Sequence, residues 1–294
     1  MIAAATTPSG ADRPRLNWGH LAFLAPVHLA ALLAPWTFTW TNLALAAALH
    51  ALLGGLGICV GYHRLLAHRS FTARRPLRYA LATLGALTVQ GGPSAWVANH
   101  RKHHQHSDGP DDPHNARRGF WWAHMGWIFV AVPREERLAR QRRYAPDILA
   151  DPYFRVLDRW YWALQIPLAL GLFAAGGFGM VVWGIGVRLV ATYHSTYLVN
   201  SAAHWFGYQS FRSGDRSRNN WWVALLVYGE GWHNNHHAFP WSARHGLRGW
   251  ELDVSYLAIR LFKLVGLVRE IRVPSAARLR ALVLPGPGEP LAST

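Results

Sequence analysis

The chain is short of cysteine, of acid and of charge altogether. Its single cysteine, Cys59, excludes an intrachain disulfide and any cysteine-rich metal site. Cys59 reads as a small apolar residue inside a buried helix. Only 15 acidic residues stand against 30 basic ones, a net charge of +15. Charged residues make up 15% of the chain, against roughly 25% in soluble proteins, and hydrophobic residues 51%. No glycine pattern for cradling a nucleotide is present. Met1 to Arg15 lacks the charged-then-apolar order of a cleaved signal and reads as a short disordered tail.

Charge is missing from whole stretches. Between Arg15 and Arg64 there is no Lys, Arg, Asp or Glu. A crossing needs about 20 apolar residues at about 1.5 Å rise each, so this run holds two. The break at Pro35 to Asn42 places them near 17–35 and 42–62. A second run, from Arg159 to Arg212, is interrupted only by Arg188 and holds two more, near 160–177 and 180–205. Gly176-Gly177 marks the turn. Arg188 lies 16 residues before His204, about 24 Å along a helix, and is expected to snorkel to the far headgroups. Tyr79 to Asn99 is also uncharged, but Gln90-Gly91-Gly92-Pro93 cuts it too short to cross. It is expected to give an interfacial helix over 77–90. Trp-rich Gly119 to Val132 is expected to form a second interfacial piece.

Excess base by itself would suit nucleic acid. Here the basic residues flank apolar runs, which points to membrane lipid and to no nucleic acid partner. Sixteen Lys or Arg fall between the second and third spans, and none in the turns on the other side. The polar segments therefore face the cytoplasm.

What the chain has in excess is histidine in a repeated spacing. His100, His103 and His104 stand at i, i+3 and i+4, and His233, His236 and His237 repeat that pattern. Such residues share one side of a helix. Three imidazoles together make a poor core and a good metal-binding surface. His63 and His68 form a wider pair, five apart, about 140° from a common face on an α-helix. The helix is expected to end or bend between them if both bind metal. Four spans put all eight of these histidines on one side, at a polynuclear metal site. His20, His28 and His50 lie inside the spans without a partner histidine nearby in sequence and read as packing residues.

HRLLAH at 63–68, HRKHH at 100–104, DPHNARRGFWWAHMGW at 112–127, NSAAHWFG at 200–207 and GEGWHNNHHAFP at 229–240 occur in this order. With them the chain resembles the membrane-bound di-iron fatty acid desaturases, specifically the stearoyl-type Δ9 class. The resemblance implies an all-α integral membrane protein with four transmembrane helices and a cytoplasmic helical cap carrying a histidine-rich di-metal site. One desaturase domain would cover 16–270, and 271–294 would be a C-terminal tail.

The resemblance also implies two ferrous ions. His63, His68, His100, His104 and His236 would hold one. His103, His204, His233 and His237 would hold the other, with Asn200 acting through a water. Spacing alone does not give that partition. Asp112, Glu230 and Asn99 are candidates for accepting hydrogen bonds from the ligands' outer nitrogens. Ala47, Ala51 and Trp96 are candidates for lining an acyl tunnel. His106, His114, His124, His194 and His245 are left outside the ligand set.

The implied reaction is O2-dependent insertion of a cis double bond, at Δ9, into a saturated C16 or C18 acyl chain. Electrons would come from a separate ferredoxin or cytochrome b5-like donor with its reductase. The implied setting is a bacterial inner membrane with the site on the cytoplasmic side. Trp127 to Val132 is apolar where the animal acyl-CoA enzymes carry a basic pair. QGGP at 90–93 and SARHGL at 242–247 look more like the cyanobacterial acyl-lipid and plant desaturases. The substrate's carrier, CoA or lipid, stays open. The alternatives are a related membrane hydroxylase acting on a lipid or alkane and, from another class, a membrane metal transporter or sensor. A transporter would place ionisable groups near the bilayer midplane, where these spans are nearly bare.

Overall fold

The computed structural model describes residues 15–284. The expected N-terminal tail therefore lies, apart from Arg15, outside the described residues. The described chain is helical, with one two-residue antiparallel ribbon joining Thr72–Ala73 to Val268–Arg269.

Asn17 opens the first helix, Trp18–Ala31, its side chain accepting from the His20 N–H at 3.2 Å. At 14 residues this helix is about 21 Å long, and a tight turn at Ala34–Thr37 ends it before the expected limit at 35. Thr39 caps the next helix, Trp40–Leu49, which continues without a break as His50–Ala67. Trp40–Ala67 is long and apolar enough to cross a bilayer, and so is the stretch Pro152–Trp205. Within the latter, Gly176 and Gly177 leave helical geometry, Gly177 with φ +71°. Glycine reaches that conformation without the strain a Cβ would bring, and the helix breaks at the position expected for the turn.

Residues 50–67 are wound as a π-helix, more loosely than an α-helix. The His68 N–H donates to the His63 carbonyl at 3.0 Å, an i→i+5 bond. That answers the five-residue spacing. The helix ends at Ala67, as expected between the two histidines, with His68 as its cap, and its wider last turn brings residue i+5 back over residue i.

Helix Arg75–Ala86 differs from its expected place at the interface. It packs in the opposite direction along His50–Ala67, with Leu81, Ala82 and Ala86 buried. A Cβ on Gly57 would meet the Gly85 backbone N at 2.4 Å, and one on Gly61 the Leu81 carbonyl O at 2.9 Å. Glycines with no side chain let the two backbones approach. The aromatic stretch after Gly119 forms two short turns, Phe120–His124 and Gly126–Phe129, instead of one helix.

Arg188 does not snorkel. It is fully buried, and donates to the carbonyls of Gly184 and Leu87 and to Gln165 Oε1 at 2.9 to 3.1 Å. Leu87 is the capping residue after Ala86, and its carbonyl needs a donor where no water reaches. His28 and His50 are not lone packing residues either. His28 Nε2 lies 3.1 Å from His194 Nε2, and His194 Nδ1 lies 2.9 Å from His124 Nε2. His124 reaches Ser201 at 3.0 Å, while His50 sits between Tyr228 and Ser195. Each pair is separated by more than 60 residues in sequence.

Residues 271–284, expected as a tail, are tied down. Arg272 exchanges backbone bonds with Ser70 and Ala243, and Val283 pairs with Phe211.

Candidate metal centre

Helix Pro93–His106 begins on proline, whose missing N–H would be unpaired there in any case. Its register against the end of helix His50–Ala67 is set by Arg101. That guanidinium donates to the carbonyls of Leu66, Ala67 and Tyr144 and to both oxygens of Asp147, at 2.6 to 3.0 Å. It satisfies carbonyls that a helix end leaves orphaned. It thereby fixes His68 against His100.

The repeated histidine spacing now has a geometric meaning. On a helix, i and i+4 point about 40° apart, while i+3 lies about 100° from i+4. On Pro93–His106, His100 and His104 face one group and His103 faces another. On His233–Ala238 the roles are exchanged: His236 joins His100 and His104, while His233 and His237 join His103. One five-residue pattern thus serves two neighbouring points.

The first group is His63, His68, His100, His104 and His236. Nε2 of His63 lies 3.1 Å from that of His236, His68 2.6 Å from His100, and His104 2.9 Å from His236. The second group is His103, His204, His233 and His237, all buried. There Nε2 of His204 lies 3.1 Å from that of His233, and His103 3.4 Å from His237. Two nitrogens on a metal at about 2.0–2.1 Å are about 2.9–3.4 Å apart at octahedral or tetrahedral angles.

The outer nitrogens explain why the inner ones are free to bind. His63 Nδ1 lies 2.6 Å from Glu230 and His103 Nδ1 3.0 Å from Asp112. His237 Nδ1 meets Asp215, and His204 Nδ1 lies 3.5 Å from Asp108. A proton held on Nδ1 by a carboxylate leaves a lone pair on Nε2. Facing lone pairs buried together repel, and a cation between them removes the conflict. The donor set therefore fits a pair of metal ions suited to imidazole.

Burial pushes the pKa values of His68, His100, His104, His233 and His236 well below the usual histidine value, with help from neighbouring imidazoles. These rings are neutral near pH 7, as metal ligands must be. Burial alone would raise Asp112, but His103 beside it holds its carboxyl below the usual range. His237 does the same for Asp215.

Of the residues expected to support the ligands, Glu230 and Asp112 contact them. Asn99 does not: its Oδ1 accepts from Arg140 at 2.7 Å, because its side chain leaves the helix away from the imidazoles. Trp96 stands on the site rather than in a tunnel. Its ring stacks on His100 at 5.1 Å and meets His63 edge-on. Ala47 and Ala51 are exposed, while Ala46 is buried with Val182 and Trp183. They do not line an enclosed passage, and any passage reaching them is open there. Asn200 ends helix Arg188–Asn200, half-buried. His204 sits on a separate short turn, Ala202–Trp205, so the four-residue spacing from Asn200 does not put the two on one continuous helix.

Asp108, Asp215, His245 and Arg64 were not foreseen from sequence. Asp108 carried one local signal, the Asp-Gly of a turn, and it adopts φ +58°. Arg64 is fully buried and donates to Glu230 and Asp253 at 2.8 to 3.1 Å, counting the Ala243 carbonyl that it also binds. His245 Nδ1 lies 3.3 Å from Glu230.

A family model described as fatty acid desaturase matches residues 38–252. The chain belongs to the fatty acid desaturase family. It is 46% identical to an sn-2 palmitoyl-lipid 9-desaturase of Nostoc sp. (strain 36), over 91% of this chain and 94% of that one. It is 45% identical to an sn-1 stearoyl-lipid 9-desaturase of Anabaena variabilis, over 91% and 98%. An acyl-CoA 5-desaturase of Anemone leveillei is 40% identical over 90% of this chain and 82% of its own. The chain is accordingly an oxidoreductase of the desaturase class.

Proposed function

We propose that this desaturase inserts a cis Δ9 double bond into a saturated C16 or C18 acyl chain carried on a membrane lipid. The observation that carries the reading is the convergence of five and four imidazoles on two adjacent points. The similarity to lipid 9-desaturases supports the substrate class and the bond position. CoA as carrier has less support, since the basic pair of the animal enzymes is missing from Trp127 to Val132.

In this reading His63, His68, His100, His104 and His236 hold one iron. His103, His204, His233 and His237 hold the second, with Asn200 acting through a water. Two ferrous ions supply the capacity to activate O2 with two electrons, which breaking an unactivated C–H bond requires. The chain's own carboxylates Glu230, Asp112 and Asp215 keep the imidazole protons on Nδ1. Burial excludes bulk water from the ring nitrogens. A ferredoxin or cytochrome b5-like protein with its reductase supplies the electrons, attracted to the basic cytoplasmic surface.

Four spans, with the cap on the cytoplasmic side of a bacterial inner membrane, suit the exposed apolar surface. Trp18, Leu29, Leu32, Trp36, Trp40, Ile166, Leu170, Phe173 and Phe178 are all exposed. So large an apolar girdle belongs in lipid. Trp40–Ala67 supplies one crossing, the break at Gly176–Gly177 lets Pro152–Trp205 supply two, and Trp18–Ala31 with the turn Ala34–Thr37 supplies the fourth.

Metal analysis of protein from iron-replete cells, read alongside activity, tests the centre. Two irons per chain are expected. One tightly bound zinc, with iron unable to support turnover, would refute it.

A further inference from the structure

The two histidine groups differ in what stands behind them. In the second group, two of four imidazoles have a carboxylate hydrogen-bonded at Nδ1, Asp112 behind His103 and Asp215 behind His237, and a third carboxylate, Asp108, lies 3.5 Å from His204 Nδ1. These carboxylates are otherwise met by neutral donors. The Arg216 N–H donates to Asp108, the N–H groups of Asp108 and His114 to Asp112, and Ser213 and Ser217 to Asp215. Among the described residues no arginine or lysine side chain forms an ion pair with any of the three.

The first group has one such carboxylate, Glu230 behind His63. The buried Arg64 guanidinium binds that carboxylate directly, and Asp253 binds Arg64 from the other side. His236, a member of the first group, has a buried Nδ1 with neither a hydrogen bond nor an ion pair among the described residues, whereas the unbonded Nδ1 of His204 still faces Asp108. A divalent ion in the second group would sit behind three negative charges. In the first, two carboxylates and one guanidinium leave a net of one negative charge.

We infer that the second group, His103, His204, His233 and His237, is the tighter of the two metal sites and fills first. This rests on the two-metal reading proposed above. Carboxylates behind ligating histidines raise ligand basicity, each worth about 10–100-fold in affinity. They also attract the ion through space in a site of low dielectric. The fifth imidazole of the first group works the other way. It is neutral, however, and brings no carboxylate with it.

The test is a titration of the full-length apoprotein in detergent with Co2+, an absorbing probe of imidazole sites, under chelator competition. Wild type is expected to bind two equivalents with dissociation constants at least about tenfold apart. His233→Ala should remove the tight class and leave the weak one. His68→Ala should do the reverse. Asp215→Asn should weaken the tight class by about 10–100-fold and leave the other unchanged. Asp108→Asn gives a second test where Asp215→Asn does not fold, since asparagine tolerates the positive φ at 108. Two indistinguishable sites in wild type, loss of the tight class in His68→Ala, or an unchanged tight class in a folded aspartate variant would overturn the inference. Fewer than two equivalents in wild type would instead overturn the two-metal reading, and the inference with it.

Discussion

The middle and the far end of helix His50–Ala67 are held by opposite means. Its middle meets helix Arg75–Ala86 by shape, where Gly57 and Gly61 leave room for the neighbouring backbone. Its far end is held by charge and hydrogen bonds. Arg64 is buried between Glu230 and Asp253, and Arg101 satisfies the carbonyls of Leu66 and Ala67. The first region tolerates no added atom. The second tolerates no missing partner. The metal centre needs both: one sets how deep the helix lies, the other sets how its histidines point.

That contrast can be broken at either end. The largest effect is expected for His204→Ala, in which desaturation is abolished and iron content falls while the protein still inserts and folds. Activity and iron measured on the purified variant check this. Near-normal turnover with full iron would remove His204 from the site. Arg64→Met should destabilise the chain by about 3–5 kcal/mol, because Glu230 and Asp253 would stay buried without their cation. Chemical denaturation measures it, and an unchanged midpoint would mean the pair contributes nothing. Gly57→Ala should cost about 1–3 kcal/mol through overpacking alone. Its iron content per folded chain should stay normal, which separates shape from chemistry.

Acid should act beside the second histidine group, where the His114 ring packs against His103. Burial pushes the pKa of His114 down to about 3 from 6.5. Its unfolded form takes a proton below about 6.5 and the folded form does not until about 3. Acid therefore favours the unfolded chain, and the contribution is present above about 6.5 and lost on the way down to about 3. Thermal unfolding of the apoprotein between pH 8 and 4 should show a falling midpoint; a flat profile would contradict the burial. The smallest effect is expected for Asn200→Ala. Turnover should drop with less metal loss than in His204→Ala, since its contact would run through a water.

The same contrast explains what could be read from sequence. The His-x-x-His-His patterns at 100–104 and 233–237 were legible because helical spacing alone brings such residues together. The pair His63 and His68 was legible only as a conflict with α-helical geometry. The looser winding of 50–67 resolves it, through a backbone bond that no side chain announces. Ala47 and Ala51 were expected to line an acyl tunnel and are exposed, because sequence does not say which apolar face of a membrane helix looks inward. Arg188 illustrates the same gap, since its partners Leu87 and Gln165 lie 101 and 23 residues away. Asp215 is 22 residues from His237 with no periodic relation to it. Carboxylates that steer a ligand's proton are fixed by loops, and loops carry the weakest sequence signal for spatial neighbours. Asn99 failed for the converse reason. It is next to a ligand in sequence, yet its side chain points to Arg140.

Two histidine-held irons would serve desaturation in the centre proposed for this chain. The most direct test is to express the chain in a desaturase-deficient bacterium and to locate double bonds in the total fatty acids by mass spectrometry. Cis Δ9 C16 or C18 mono-unsaturated chains are expected with the wild type and none with His204→Ala. Hydroxylated products, or double bonds consistently at another position, would contradict it.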